Sequence, residues 1–212
     1  MKILAFTDIH GSNKKVGYVA VSETMKRLDR FKKIIKQENI DYVICCGDFT
    51  FFNDYIEEVL QKIADLSVPV LLIHGNHEDE MEVKILSKQY DNIQYIHKKA
   101  KVIGNYAFLG YGGDGFSRRN PDFISSMHKA IEKLPKNTKY VLITHGPPHG
   151  TKADFRPGYG HVGNLDYREF IEKHPVILSL CGHIHEGFDT HQKVGDALVI
   201  NPGPEGKIIE LE

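Results

Sequence analysis

The sequence has few cysteines and no long apolar run. Its three cysteines, Cys45, Cys46 and Cys181, lie at the ends of apolar runs, where cysteine usually packs as a small hydrophobe. We therefore expect no disulfide framework, and a reducing cytoplasm is the expected compartment. The first residues, which Asp8 interrupts, lack the apolar run of a signal peptide, and no later segment has the apolar length of a membrane span.

The sequence also has little net charge. Lys and Arg number 27 against 28 Asp and Glu, which gives a formal net charge of -1. This balance leaves no overall positive field to attract nucleic acid, so we expect neither a nucleic-acid partner nor a membrane. No repeat, low-complexity tract or linker divides the 212 residues. We therefore predict a single domain over residues 1–212 with a substantial core, while the oligomeric state stays open.

Short β-branched runs alternate with longer amphipathic segments in the first half of the chain. Strands are predicted over residues 3–7, 42–46 and 70–73, and helices over residues 25–36, 55–66 and 80–89. This alternation is typical of repeated βα units, which form a mainly parallel sheet with helices outside it.

The second half of the chain adds antiparallel strands. Gly104-Asn105 and Gly195-Asp196 each suit a two-residue hairpin turn between apolar runs. Further strands are predicted over residues 140–144, 176–181 and 208–211, and helices over residues 121–134 and 165–173. The pattern indicates two packed sheet layers with helices on both sides. Residues 11–23, 110–120 and 146–163 are predicted loops, long enough to carry function.

Five short polar motifs stand where predicted strands end. They are Asp8-Ile9-His10, Gly47-Asp48, Gly75-Asn76-His77-Glu78, Thr144-His145-Gly146 and Gly182-His183-Ile184-His185. Sites form at the carboxyl ends of strands in open α/β sheets, so the five motifs can converge on one edge. In an extended segment residues two apart point the same way, so each Asp-x-His or His-x-His pair can hold one centre.

The residue types in these motifs favour a metal site. Imidazole, carboxylate and amide oxygen together suit borderline divalent ions such as Mn, Fe and Zn, and suit neither copper bound by thiolate nor calcium in an all-oxygen site. Seven side chains are candidate ligands: Asp8, His10, Asp48, Asn76, His145, His183 and His185. Seven is more than one ion normally collects, whereas two metals that share a bridging carboxylate account for all of them. Each motif alone fits a structural role, and the metal interpretation depends on their combination.

The ordered set Asp-x-His, Gly-Asp, Gly-Asn-His-Glu, His and Gly-His-x-His resembles the calcineurin-like metallophosphoesterase family, and within it a small single-domain branch. The resemblance runs from Asp8 to His185. It implies an α/β fold, a four-layer αββα sandwich in which two mixed β-sheets are flanked by helices. Glu78 departs mildly from the family, because many members have Asp at this position.

The resemblance also implies roles for the motif residues. It assigns Asp8, His10 and His185 to a first metal, Asn76, His145 and His183 to a second, and Asp48 to a bridge between them. His77 matches the general acid of the family, although a structural role beside Asn76 is the alternative. Manganese is the first expectation for both metals, with iron, zinc, nickel or cobalt as alternatives.

The implied function is dinuclear metal-dependent hydrolysis of phosphodiester or phosphomonoester bonds by attack of a metal-bridging hydroxide. We expect a small phosphate ester as substrate, with diesters favoured and a nucleotide among the candidates. Two alternatives are a nuclease of the same family and a non-catalytic metal-binding interaction scaffold on this fold. The charge balance argues against the nuclease, and the presence of all seven ligands argues against the scaffold.

Polar residues of the long loops are candidate substrate contacts, because guanidinium binds phosphate bidentately. The candidates are Arg118, Arg119, Arg156, His149 and His161. A solvated charged loop explains the arginines equally well. Whether the loops around Gly113 and Arg156 close on substrate stays open.

Two further sets of side chains have a functional and a structural interpretation. Aromatic residues near the strand ends can stack on a nucleobase, although such residues more often belong to the core; they are Phe49, Phe51, Phe52, Phe155 and Tyr159. Acidic residues beside the motifs are candidates to accept the outer N–H of a ligating imidazole; they are Glu78, Asp79 and Glu186.

Overall fold

Two mixed β-sheets flanked by helices make up the part of the chain that the structure describes. This computed structural model describes residues 1–10 and 18–212, without the side chains of residues 18–20. The α-helices within these residues are α1 (Tyr18–Glu38), α2 (Ile56–Ala64), α3 (Glu80–Leu86), α4 (Pro121–Ile131) and α5 (Leu165–Lys173). None of these helices combines the length and the apolar character that a bilayer crossing requires.

The strands, numbered in chain order, belong to two large sheets and one small hairpin. The strands are β1 (Lys2–Phe6), β2 (Tyr42–Cys45), β3 (Val70–Leu72), β4 (Ile93–Tyr95), β5 (Lys99–Ile103), β6 (Tyr106–Tyr111), β7 (Lys139–Thr144), β8 (Phe155–Arg156), β9 (Gly160–His161), β10 (Val176–Leu180), β11 (Thr190–Val194), β12 (Ala197–Asn201) and β13 (Lys207–Glu210).

Each large sheet has a parallel centre and an antiparallel edge. The first sheet has the order β13-β1-β2-β3-β4, in which only β13 pairs antiparallel. The second has the order β11-β12-β10-β7-β6-β5, in which β11 and β5 are the antiparallel edges. The parallel centres place the carboxyl ends of β1, β2 and β3 at one edge of the first sheet, and those of β7 and β10 at one edge of the second.

The side-chain alternation of the strands separates three apolar clusters. In β1, Leu4 and Phe6 pack with Phe31 of α1, whereas Ile3 and Ala5 face the second sheet. On the far side of the second sheet, strand residues pack against α4 and α5; this cluster includes Ala107, Leu109, Phe123 and Phe170. Helices, sheet, sheet and helices therefore form four layers, and the predicted fold class is confirmed.

Both predicted hairpins are confirmed. Ile103 pairs with Tyr106 across the first turn, and Val194 pairs with Ala197 across the second. Gly104 and Gly195 each adopt a φ of +57°, a left-handed conformation that glycine adopts without a steric cost.

Several predicted boundaries are wrong. Helix α1 begins at Tyr18, so residues 18–23 of the predicted loop are helical, while residues 11–17 lie outside the described residues. The predicted loop 146–163 contains a 3₁₀ turn over Lys152–Asp154 and the hairpin of β8 and β9. Strand β4 was not predicted, because three residues are too few for a periodic signal.

Candidate metal centre

Hydrogen bonds from backbone N–H groups tie the polar motifs together at the strand ends, and the His77 N–H, which donates to Asp48 Oδ1 at 3.0 Å, includes the turn after β3. Asp8 N–H donates to the carbonyl of Gly47 at 3.1 Å, which joins the turns after β1 and β2. Gly182 N–H donates to the carbonyl of His145 at 2.7 Å, which joins the turns after β10 and β7. The His183 N–H donates to Asp8 Oδ2 at 3.0 Å and so links the two sheets. The motifs therefore converge, as the sequence predicted.

The side chains of these motifs form three overlapping groups of potential metal ligands. Within each group the ligand atoms lie within 4.8 Å of one another. The groups are Asp8 with His10 and His185, His10 with Asp48 and His77, and Asp48 with His145 and His183. Asn76 joins the last group, since its Oδ1 lies 3.0 Å from His145 Nε2. All seven predicted ligands therefore meet in one place, and their role as ligands stays a prediction.

Asp48 lies between the groups. Its Oδ2 is 3.3 Å from His145 Nε2 and 3.7 Å from His10 Nε2, although these two histidines belong to different predicted metal sites. The carboxyl group is buried and also accepts the His77 N–H on Oδ1 at 3.0 Å. This position suits the bridging role predicted for Asp48.

Hydrogen bonds to protein groups orient two of the candidate ligands. Thr7 Oγ1 donates to Asp8 Oδ2 at 2.6 Å. The other carboxylate oxygen, Asp8 Oδ1, faces His185 Nε2 at 3.4 Å. His145 Nδ1 lies 2.9 Å from the carbonyl of Cys46, a contact in which Nδ1 is the donor, so Nε2 is the ring nitrogen that faces the other candidate ligands. A second hydrogen bond of this kind is the usual support of a metal-ligating histidine.

Buried polar atoms without a hydrogen bond indicate whether a cation fits the site. Three such buried atoms belong to the candidate ligands: Asp8 Oδ1, His10 Nε2 and His183 Nε2. A buried polar atom without a partner costs about 1–3 kcal/mol. Divalent cations would give all three atoms a partner, and their mixture of oxygen and imidazole nitrogen suits borderline ions. The residues present therefore fit the predicted metals.

The backbone is strained at three of the candidate ligands. Asp8, Asp48 and His183 have φ values of +53°, +52° and +67°, in the left-handed region that few non-glycine residues adopt. Neighbouring glycines make room for these turns. A Cβ at Gly75 would collide with Asp48 Oδ1, and a Cβ at Gly182 would collide with the side chains of Thr7 and Asp8. Strain of this kind is concentrated at functional sites.

Burial and neighbouring charges shift the pKa values of the candidate ligands in different directions. Burial alone would raise the pKa of Asp48, but the charge of His145 and their hydrogen bond hold that pKa below its ordinary value. Burial would lower the pKa of His145, yet the charge of Asp48 raises it to about 10. Burial lowers the pKa of His10, and burial with the charge of His145 lowers the pKa of His183 to about 4. His10 and His183 are thus neutral bases, and a cation would compete with the proton on His145.

Glu78 contacts backbone rather than imidazole, which corrects one expectation. Its Oε2 accepts the N–H groups of Asp48 at 3.0 Å and Gly75 at 2.7 Å, and its Oε1 accepts from Thr50. The other two acidic candidates also have different partners: Asp79 caps α3 by accepting the Glu82 N–H, and Glu186 pairs with Arg156. Glu78 therefore holds the backbone of two motifs in place.

A cleft of about 290 Å³ opens over the candidate ligands. Its lining consists of Asp48, Asn76, His77, Phe116, Arg156, His183, Ile184, His185 and Glu186. Of the five predicted substrate contacts, Arg156 lies in this lining. Arg119 instead pairs with Asp166 and Glu169, and Arg118 is exposed.

The remaining two candidates, His149 and His161, face a buried carboxylate in the same loop. Asp154 lies 3.5 Å from His149 Nδ1 and 2.8 Å from His161 Nδ1. It also accepts the N–H groups of Thr151 at 2.7 Å and Gly163 at 2.9 Å. Asp154 thus organises the loop that follows His145.

The sequence interpretation missed Phe116 in the cleft. Its ring lies 4.4 Å from the ring of His183, edge to face. The available signal was its place in the long predicted loop 110–120, which follows β6. Among the aromatic residues that were singled out, Phe49 is buried, whereas Phe52, Phe155 and Tyr159 are exposed.

Comparisons with known proteins identify the family. Residues 1–187 match the sequence profile of the calcineurin-like phosphoesterases. An uncharacterized metallophosphoesterase of Helicobacter pylori is 23% identical over 199 residues, which are 88% of this chain and 45% of the relative. A probable glycerophosphodiester phosphodiesterase, GpdQ, of Arcobacter nitrofigilis is 24% identical over 155 residues, 68% of this chain and 56% of the relative. The chain thus spans about half the length of these curated relatives.

A solved structure shares the fold. TT1561 of Thermus thermophilus superposes with a TM-score of 0.70 at 17% identity, over 95% of this chain and 88% of that one. At this identity the likeness concerns the fold alone. The profile match, however, covers most of the chain and every one of the five motifs, and on that ground this protein belongs to the calcineurin-like phosphoesterase family.

Proposed function

We propose that the chain hydrolyses phosphodiester bonds with two divalent cations held by seven side chains. One observation carries the proposal: two groups of potential ligands share Asp48, and three buried atoms of the candidate ligands have no hydrogen-bond partner. A single structural ion would not explain why Asp8 and His145, at opposite ends of the arrangement, are both oriented by hydrogen bonds to protein groups.

In this proposal the residues divide between two cations as the family resemblance implies. Asp8, His10 and His185 would hold one cation, and Asn76, His145 and His183 the other, with Asp48 in contact with both. Two cations bound there would lower the pKa of a water molecule and neutralise charge on the phosphoryl oxygens.

His77 is placed to donate a proton to the leaving oxygen. Its Nε2 lies 3.8 Å from Asp48 Oδ2, and the residue lines the cleft. The hydrogen bond from its own N–H to Asp48 Oδ1 fixes its backbone beside the proposed bridge. A histidine at this position can protonate an alkoxide as the ester bond breaks.

The charge of the cleft supports diesters over monoesters. Among the described residues that line it, Arg156 carries the cationic side chain, and Glu186 offsets that charge through an ion pair of 3.1 Å. A phosphodiester has one negative charge and a monoester has two. Apart from the two proposed cations, which either ester would contact, this lining leaves the second charge of a monoester unbalanced. The relative named as a glycerophosphodiester phosphodiesterase supports the same preference.

The test compares two chromogenic esters with one protein preparation. Metal-stripped protein that is re-supplied with Mn²⁺ should hydrolyse bis(4-nitrophenyl) phosphate faster than 4-nitrophenyl phosphate, and neither without metal. Fe²⁺, Zn²⁺, Ni²⁺ and Co²⁺ in parallel would rank the metals. Absence of turnover with every metal would favour the interaction scaffold, and cleavage of DNA in preference to both esters would favour the nuclease.

The variant Asp48→Asn isolates the shared ligand. It should lose most of the diesterase activity and weaken the binding of both cations, because the amide is neutral and offers one oxygen instead of two. Asp196→Asn, in the exposed turn between β11 and β12, is the matched control and should behave as wild type. Full activity of Asp48→Asn would refute the proposed use of two cations.

A further inference from the structure

The rim of the cleft carries large aromatic side chains that are open to solvent. Phe116 is 64% exposed although its ring lies 4.4 Å from His183. Phe52 is 66% exposed, and its ring lies 4.4 Å from His77. Burial of a phenylalanine side chain stabilises a folded protein, and an exposed phenylalanine does not make this contribution. An exposed apolar surface beside a polar cleft therefore indicates a binding role.

Arg156 extends the aromatic surface at Phe116. Its guanidinium carbon lies 5.9 Å from the ring centroid of Phe116 and 5.3 Å from that of Tyr159, which is 76% exposed. The ion pair with Glu186 fixes the orientation of the guanidinium. Two rings and a planar cation thus stand side by side, and guanidinium and aromatic faces both stack on planar groups.

The backbone at Phe52 is strained. Its φ of +51° is an outlier for a bulky residue and is maintained only because the surrounding structure enforces it. The ring of Phe52 packs edge to face against Phe51, whose own ring stacks on His77 at 5.1 Å. The strained turn therefore holds an exposed aromatic side chain beside the proposed proton donor.

The two aromatic surfaces belong to different ends of the ligand arrangement. Phe52 contacts His77, which would protonate the leaving group, and Phe116 contacts His183, which is grouped with His145. The cleft volume of about 290 Å³ lies at the lower end of the usual range for small-molecule pockets. Large ester groups of a diester would therefore extend over the rim, one toward each surface.

We propose that Phe116, Arg156 and Tyr159 form a subsite that stacks the nucleobase of a nucleoside 5′-phosphoryl ester, the ester group that stays on the phosphate. Phe52 contacts the leaving group. The distinction between the retained group and the leaving group rests on the proposed function, in which His77 donates the proton; the stacking itself rests on the geometry of the rim.

Binding can be measured without catalysis. Isothermal titration calorimetry of Mn²⁺-supplied protein should show thymidine 5′-phosphate bound on the order of tenfold more tightly than methyl phosphate, the effect that one base–aromatic stack produces. Phe116→Ala should bring this ratio close to one, whereas Phe116→Tyr, which keeps the aromatic face, should retain it. Ile85→Ala, which alters another exposed apolar side chain on α3, should leave the ratio unchanged.

Kinetics then separate this inference from the proposed function. Thymidine 5′-(4-nitrophenyl) phosphate and methyl 4-nitrophenyl phosphate have the same leaving group, so the ratio of their kcat/KM values reports the retained group. We expect that ratio to fall about tenfold in Phe116→Ala. A calorimetric ratio near one in the wild type, or one that Phe116→Ala does not change, would overturn the subsite. Preference for the thymidine ligand without turnover of either ester would support the subsite and count against the proposed hydrolysis.

Discussion

Glu78 should be the residue outside the ligand set whose replacement disturbs the site most. Its buried carboxylate accepts four hydrogen bonds, from the N–H groups of Asp48, Gly75 and Thr50 and from Thr50 Oγ1. Each oxygen takes two of them. Glu78→Gln replaces one oxygen by an NH₂ group, which cannot accept. With NH₂ at the Oε2 position the N–H groups of Asp48 and Gly75 lose their acceptor, whereas with NH₂ at the Oε1 position the Thr50 N–H alone does, because the Thr50 hydroxyl can rotate and accept.

In the more favourable orientation one buried backbone donor is left without an acceptor, which costs about 1–3 kcal/mol, so the free energy of unfolding should fall by about this amount. Because the affected Thr50 N–H lies in the same turn as Asp48, Mn²⁺ affinity should fall as well. Burial and the charge of Asp48 raise the pKa of Glu78 to about 7, so the comparison belongs at a pH above that value, where the carboxylate is ionised.

Urea denaturation of metal-free protein measures the stability, and calorimetric titration with Mn²⁺ measures the affinity. Glu78→Asp keeps the carboxylate on a shorter side chain and should lie between wild type and Glu78→Gln. Glu172→Gln removes an exposed ion pair with Arg168 and should cost less than about 1 kcal/mol. A Glu78→Gln protein within about 0.5 kcal/mol of wild type would show that the carboxylate does not hold these turns.

Two other perturbations test the packing of the site and the charge behind it. In Gly182→Ala the new methyl group would collide with Thr7 and Asp8, so Mn²⁺ affinity should fall at least tenfold and stability by about 1–3 kcal/mol; an unchanged Mn²⁺ titration would contradict this. Burial, followed by the charge of His74, lowers the pKa of His97 in the folded chain to about 3. As the pH falls below 6.5, His97 therefore becomes protonated in the unfolded chain while it stays neutral in the folded chain, and this difference favours unfolding. From His97 alone metal-free protein should therefore lose about 2–3 kcal/mol between pH 6.5 and 4.5. Urea denaturation at both pH values should show a smaller loss for His97→Phe, and equal losses would rule out the effect.

The ligands could be predicted because their signals are local. Asp8 with His10 and His183 with His185 follow buried strands at a spacing of two, and parallel strands bring their carboxyl ends together whatever the rest of the chain does. The same argument located Asp48, which the structure places between the two groups. Residue type and strand order were sufficient for this part of the site.

The partners of Glu78 could not be predicted, because three of its four donors are backbone amides. Its donors come from the turns after β2 and β3, and no side-chain chemistry in the sequence marks them. Asp154 presents the same difficulty: it accepts the N–H groups of Thr151 and Gly163 within a loop that carries no periodic signal. An acidic residue in a loop is expected to contact solvent. The tertiary structure is needed to show that Asp154 is buried.

The start of α1 was missed for a different reason. The segment Tyr18-Val19-Ala20-Val21-Ser22 contains two β-branched valines, and the first turn contains no acidic residue. Both features lower the intrinsic preference for a helix, so the apolar period became clear only from Leu28 onward. Packing of Leu28 and Phe31 against the first sheet stabilises the helix as a whole, and that stabilisation extends it beyond its locally favourable part.

Strain and unpaired atoms coincide in the site, which links the metals to stability. Asp8 and His183 combine a left-handed φ with a buried polar atom that has no hydrogen-bond partner, and Asp48 adds a third strained turn. Left-handed φ values at such residues cost about 1–3 kcal/mol each, and the packed sheets must supply this free energy when the chain folds without metal. Cations that bind these atoms in the folded chain alone would recover part of it. Metal binding should therefore raise the free energy of unfolding. The sequence motifs alone could not show this link, because φ at a strand end is set by the contacts between the sheets.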